Sequence, residues 1–258
     1  MTAIAQGRTR RRAPLVSAMC ALAVTGLGLT GCAGEDPDAG TNGVGKLAAD
    51  KIQAKAQAAA GAVDTVRLSG TVVAGGKSYK LDMSLKSDGA TGSVTADGAA
   101  FHLLRVDEEL YLKADAAFWK HEDGKSDDGK SDDGGSDTAA AGKLDDKYVK
   151  VPTGDPSYKK FSGFTDKDLL LDSVLTLHGS LDKDGHHEQA GVRTIRITGD
   201  GGSGGTLDVS LEGKPYPLRL VRAGGAGTLT FSAWGKDFTL EEPAKGETVD
   251  YGKELPTS

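Results

Sequence analysis

The densest gathering of imidazoles and carboxylates in this chain is Asp182-Lys183-Asp184-Gly185-His186-His187-Glu188. Those donor types hold zinc when they converge, yet adjacent side chains in a turn point apart, and a chelate would need a distant further ligand or a contorted backbone. A polar hairpin accounts for the segment, and no metal is expected. The run DGKSDDGKSDDGG from Asp123 to Gly135 carries oxygen ligands of the kind calcium takes. It lacks the ordered twelve-position loop and terminal Glu of an EF-hand. Gly201-Gly202-Ser203-Gly204-Gly205 matches the nucleophile-elbow pattern, which exposes a serine at a strand-to-helix corner. Here it lies between two short alternating runs with no helix after it, so a flexible hairpin loop is expected. Gly26-Leu27-Gly28-Leu29-Thr30-Gly31 fits the dinucleotide fingerprint letter for letter, but no strand precedes it and no ribose-binding acid follows in a βαβ unit. No pattern assembles a Ser, His and acid constellation or a pair of working carboxylates. The expectation is therefore no enzyme, no catalytic residue and no cofactor.

Cys32 is the side chain whose surroundings do specify a reaction. Arg8, Arg10, Arg11 and Arg12 precede an uncharged apolar run from Ala13 to Thr30, the pattern of an export signal. That run ends in Leu29-Thr30-Gly31-Cys32, which resembles the bacterial lipobox: small side chains beside the scissile bond, and a thiol that takes a diacylglycerol on sulfur before cleavage makes it the first residue. Two acyl chains, at about 0.8 kcal/mol per buried methylene, anchor stably where one chain would be reversible. Residues 1–31 are thus expected to be a lipoprotein signal peptide, Cys32 the lipidation site, and 32–45 a flexible acylated tether rich in Gly and Asp. The location that follows is the extracytoplasmic face of the cell membrane. Cys20 leaves with the signal, so packing rather than a disulfide must hold the exported domain. Without the four Arg of the first twelve residues the basic count falls from 31 to 27 against 37 acids, a net charge of -10. With no basic stripe left, nothing neutralises a phosphate backbone, which is where most nucleic-acid affinity comes from, and no nucleic-acid partner is expected.

The elements that follow are mostly strands. Lys46 to Val63 places Leu47, Ala48, Ile52 and Ala56 at helical spacing. From Thr65 the period becomes two, most plainly where Tyr79, Leu81, Met83 and Leu85 alternate with polar residues. Asp88-Gly89, Asp97-Gly98 and Asp107-Glu108-Glu109 then punctuate an antiparallel meander through Phe101, Leu103, Leu110 and Leu112. Ala114 to Lys120 suits a helical turn, and 121–143 reads as a disordered acidic insertion with almost nothing to bury. After a short run at Lys147 to Pro152, Thr165 caps a second helix over Asp166 to Leu177, with Leu169, Leu170, Val174 and Leu177 on one side. A second meander runs from Val192 through Thr206, Tyr216, Thr228 and Phe238, ending near Leu240.

Nine or ten strands in two antiparallel blocks, with helices before and between them, describe the α+β class: a single curved antiparallel sheet wrapped around helices. One domain is expected over 46–245, with 246–258 as a C-terminal tail. The inward candidates are Leu68, Leu81, Met83, Leu85, Phe101, Leu103, Leu112, Ile195, Ile197, Leu207, Val209, Leu218, Leu220 and Phe231, joined by Leu170 and Val174 of the second helix. Such medium-sized aliphatics either pack as a core or line a tunnel.

Glu109-Leu110-Tyr111-Leu112-Lys113, Ala117-Phe118-Trp119, Thr194 to Gly199, Tyr216 to Leu220, and above all Leu229-Thr230-Phe231-Ser232-Ala233-Trp234-Gly235-Lys236 with Pro243 closing, taken in that order beneath a lipobox, resemble actinobacterial lipoproteins of the LppX/LprA/LprF/LprG type. That family is similar to the lipoprotein carrier LolA. The resemblance implies a half-open β-barrel whose concave side, lidded by helices, holds acyl chains in an apolar cavity. It implies a monomeric, membrane-anchored envelope lipoprotein that binds or carries a lipid or acylated ligand without catalysis, the sixteen residues above forming the cavity wall. The alternative from another class is a tethered scaffold or signalling lipoprotein that engages an envelope protein partner through its curved sheet.

Overall fold

The computed structural model of the chain describes residues 36–123 and 142–250. Cys32 and the signal segment lie outside them, as do 124–141 of the acidic insertion. The described residues form one compact unit.

Twelve strands make one open, curved sheet: β1 Thr65–Ala74, β2 Lys77–Lys86, β3 Gly89–Ala96, β4 Ala99–Val106, β5 Glu109–Ala114, β6 Tyr148–Val151, β7 Leu181–Gln189, β8 Val192–Gly199, β9 Thr206–Ser210, β10 Pro217–Val221, β11 Gly227–Ser232 and β12 Thr248–Asp250. Their order is β12-β6-β5-β4-β3-β2-β1-β11-β10-β9-β8-β7. The two meanders are joined where β1 pairs antiparallel with β11, Leu68 opposite Phe231. All pairs are antiparallel except β12 on β6, so part of the expected C-terminal tail is a strand. The chain reaches it by an extended strap from Trp234 onward, pinned where the Lys86 ammonium meets Asp237 at 3.1 Å. Phe238 to Leu240 lies in that strap and not in a strand.

The longer helices are α1 Ala49–Gly61, α2 Ala116–Asp123, α3 Pro156–Thr165 and α4 Lys167–Val174, and residues 142–144 are also helical. Helix α2 extends into positions 121–123, which the sequence assigns to the insertion. Helix α3 has no counterpart in the sequence reading, although its start is well marked: Asp155 accepts from the Ser157 amide at 2.7 Å and Pro156 occupies the first helical turn. The residue that caps α4 is Asp166 rather than Thr165, its carboxylate accepting from the Leu169 amide at 2.9 Å. With that start, Leu170, Leu171 and Val174 turn inward and Leu169 is 60% exposed, correcting its expected place on the buried side.

Three further expectations change. The tether is docked from Asp36 onward: Asn42 donates through Nδ2 to the carbonyls of Ser210 and Gly213, and Val44 is buried. Asp182 to Glu188 is strand β7, not a hairpin turn; the reversal comes at Ala190 and Gly191, both at positive φ. This exposed edge carries charges and a bulge between Lys183 and Gly185, features that discourage pairing with another chain. Finally, the glycine run is a tight corner. Gly204 donates to Gly199 O at 2.8 Å and Gly199 to Gly205 O at 2.9 Å, while the His178 amide donates to Gly204 O at 3.0 Å. A Cβ on Gly204 would lie 1.9 Å from the His178 carbonyl oxygen, so glycine serves close backbone approach there.

Candidate functional site

Residues opposite one another in adjacent strands share a sheet face, so the registers assemble the inner surface row by row. One row runs Phe231, Leu68, Met83, Gly92, Leu103, Leu112 and Val149. The next runs Leu207, Leu220, Leu229, Gly70, Leu81, Val94, Phe101 and Ala114, and continues from Leu207 to Ile197. Val66, Leu85, Ala90, Leu110 and Val151 extend the same face on one side, and Ile195 and Val209 on the other. The helices cover this face. The Phe101 ring meets Phe118 of α2 at 5.2 Å and Phe161 of α3 at 5.4 Å, and Ile52, Ala56 and Ala60 of α1 join the same cluster as Leu170 and Val174 of α4.

The sequence-predicted wall is therefore brought together as one buried cluster, with one exception. Leu218 falls at the bulge between Pro217 and Arg219 in β10, which breaks the alternation, turns Pro217 inward and leaves Leu218 half-buried. Missed by the sequence reading were the small residues Ala90 and Ala114, whose size carries little hydrophobic signal, and Phe161 of the unforeseen α3.

Polar groups hold the helices to the sheet at a few points. Arg105, between Ala90 and Leu110 in their row, donates from Nε and Nη2 to the Thr165 carbonyl at 3.3 and 3.0 Å. It thereby satisfies the end of α3 and places a cation where a helix dipole favours one. Gln53 and Gln57 of α1 hold the segment after α4: Gln53 Oε1 accepts from the Leu177 amide at 3.0 Å, and Gln57 Nε2 donates to Thr176 Oγ1 at 3.1 Å.

Beside these bonds a cleft of about 150 Å³ opens between the end of α4 and the corner after β10. Leu220, Val174 and Leu177 form its apolar part, and Ser173, Thr176, His178 and Arg222 its polar part. A void of about that size accommodates benzene, whereas small-molecule pockets begin near about 300 Å³.

The outer face is polar and differently organised. Arg196 forks onto the wholly buried Asp208, Nε to Oδ1 at 2.7 Å and Nη2 to Oδ2 at 3.1 Å, and Arg219 lies 4.0 Å away on the other side. The bonded Asp208 carboxylate raises the Arg196 pKa above its ordinary value. Burial, then the nearby Lys113 charge, holds His102 below the usual imidazole range. On β7, successive side chains alternate faces: His186 Nε2 reaches Asp38 at 3.1 Å, and His187 Nε2 the Asp184 carboxylate at 3.7 Å. Among the described residues no three His, Cys, Asp or Glu side chains come together as metal ligands.

No family model and no curated protein sequence matches this chain. Solved structures do. The crystal structure of LprF from Mycobacterium bovis is 17% identical and covers 76% of this chain and 97% of its own, with a TM-score of 0.50. The Mycobacterium tuberculosis lipoprotein LppX is 14% identical over 74% of this chain and 99% of its own, with a TM-score of 0.41. The likeness to LprF is one of fold.

Proposed function

We propose that this chain is a cell-envelope lipoprotein, anchored through Cys32 at the extracytoplasmic face, whose half-barrel takes up the acyl part of a lipid between its sheet and its helices without catalysis. The observation that carries the reading is the inner face itself. It is an apolar surface continuous across most of the sheet, and the α1 and α4 part of its cover meets the sheet beside an open cleft. A cleft of about 150 Å³ admits only the end of a chain, so loading separates α1 and α4 from the strands. Each methylene that then enters gains about 0.8 kcal/mol from leaving water.

Native mass spectrometry of residues 36–258, recovered from the natural host and gently purified, tests the reading. A bound mass that extracts into organic solvent is expected. Bare polypeptide, together with no uptake of a fluorescent fatty acid after delipidation, overturns it.

One observation favours a second reading. Leu68, Met83, Leu85, Leu103, Ile197, Leu207 and Val209 are wholly buried, as in a filled core, which suits a tethered scaffold that engages an envelope protein. Cross-linking in the envelope, with a single co-purified protein and no bound lipid, would assign the chain to that class.

A further inference from the structure

The cleft beside α4 combines two properties that an amphiphile needs at its two ends. Its floor is continuous with the interior, because Leu220 stands in the inner row between Leu207 and Leu229, and Val174 and Leu177 are buried against it from the helix side. Its rim is made of donors with capacity to spare. Arg67, Arg193, Arg196 and Arg219 each have a carboxylate within 4.0 Å. Arg222 has no such partner among the described residues and spends one N–H on the Val73 carbonyl at 3.3 Å. Thr176 Oγ1 accepts from Gln57, which leaves its own O–H to donate outward. The exposed His178 ring adds a further donor on the same rim. A guanidinium, a hydroxyl and an imidazole around one opening, with no acid among the lining residues, select an oxyanion.

We propose that this cleft is the headgroup site of the half-barrel: it binds the phosphate-type oxyanion of an amphiphile through Arg222, Thr176 and His178 while the tail passes over Leu220 beneath α4. The inference rests on the uptake reading above and adds the class of lipid, anionic at its head. Size agrees with the role, since about 150 Å³ suits a head and the first carbons of a tail rather than a whole chain.

Equilibrium binding of a monoacylglycerol phosphate to residues 36–258, against the same monoacylglycerol without phosphate and against inorganic phosphate, tests it. The phosphorylated lipid is expected to bind about tenfold or more tightly than either, and R222Q and T176V are each expected to weaken it several-fold while leaving the neutral lipid unchanged. Each variant removes one exposed hydrogen bond, Gln57 to Thr176 or Arg222 to the Val73 carbonyl, so both are expected to stay folded at the assay temperature with melting temperatures lowered by no more than a few degrees. Equal affinity for the two lipids, insensitive to both variants, overturns the headgroup site and leaves the uptake reading standing. Inorganic phosphate binding as tightly as the phosphorylated lipid assigns the rim to a free anion and overturns the amphiphile. No binding of either lipid removes the uptake reading, and this inference with it.

Discussion

The Gln53 side chain on α1 accepts a hydrogen bond from the Leu177 amide just beyond α4, Oε1 to N at 3.0 Å. This bond joins two elements that lie 124 residues apart in sequence, and its Leu177 end lines the cleft. Gln53→Ala leaves that partly buried amide unpaired, at a cost of about 1 kcal/mol. Hydrogen exchange at Leu177 should quicken by about fivefold, and a fluorescent fatty acid should enter residues 36–258 faster by a similar factor. Faster exchange with unchanged uptake would separate this latch from the route of entry.

Legibility in the sequence followed how strongly each segment's surroundings differ on its two sides. Leu81, Met83 and Leu85 alternate with Lys80, Asp82 and Ser84 because β2 has an apolar side and a wet side, so β2 and its neighbours could be read directly. Strand β7 lies at an edge with none of its residues buried; alternation has nothing to record there, and its polar residues resemble a turn. The β10 bulge breaks the period at one residue, which misplaced Leu218 while Leu220 stayed correct. Glycines at 199 and 204 look alike whether a loop is loose or a neighbouring backbone passes close, and only the position of His178 separates the two. The cleft itself was not legible, since Arg222, Thr176 and His178 come from two separated segments and meet only through the α4 placement.

Position along α4 and across the sheet sets the cost of removing a leucine. Leu103 is wholly buried in the row between Gly92 and Leu112, and Leu103→Ala should cost about 3 kcal/mol in urea unfolding, the transfer loss plus the cavity left behind. Leu169→Ala, at a position 60% exposed, should stay within about 0.5 kcal/mol of the parent. Comparable losses for the two would mean that the inward face of α4 includes Leu169 after all.

Two glycines should respond in opposite directions to alanine. Gly163 lies inside α3, and no atom comes within 4 Å of the point an alanine Cβ would occupy there, so Gly163→Ala should stabilise by about 0.5–1 kcal/mol through the unfolded chain's lost freedom. Gly204→Ala places its Cβ 1.9 Å from the His178 carbonyl oxygen. Neither backbone has room to yield, because His178 N and Gly204 O are themselves bonded at 3.0 Å, and a loss of about 2 kcal/mol or more is expected. Thermal unfolding of both variants decides the matter; a neutral Gly204→Ala would show that the corner is loose.

His102 should make stability depend on pH in one direction. Its Nδ1 is buried without a partner, its Nε2 lies 3.4 Å from Thr91 Oγ1, and burial followed by the Lys113 charge depresses its pKa below 6.5. Above the unfolded-state value of about 6.5 the ring is neutral in both states and contributes no penalty. As the pH falls below that value the unfolded chain takes up a proton that the folded chain resists, so the unfolded state binds more protons and stability drops with acidification. The loss continues until the pH passes the depressed folded-state value, where both states are protonated and the difference becomes constant. His102→Gln keeps a donor toward Thr91 and removes the titration. Urea unfolding followed from neutral to mildly acidic pH should therefore fall more steeply for the parent than for His102→Gln, and the other imidazoles, common to both proteins, cancel in the comparison. Parallel curves would show that the ring is solvated well enough to charge freely, and the outer face around Lys113 and Tyr148 would then have to open more readily than its packing implies.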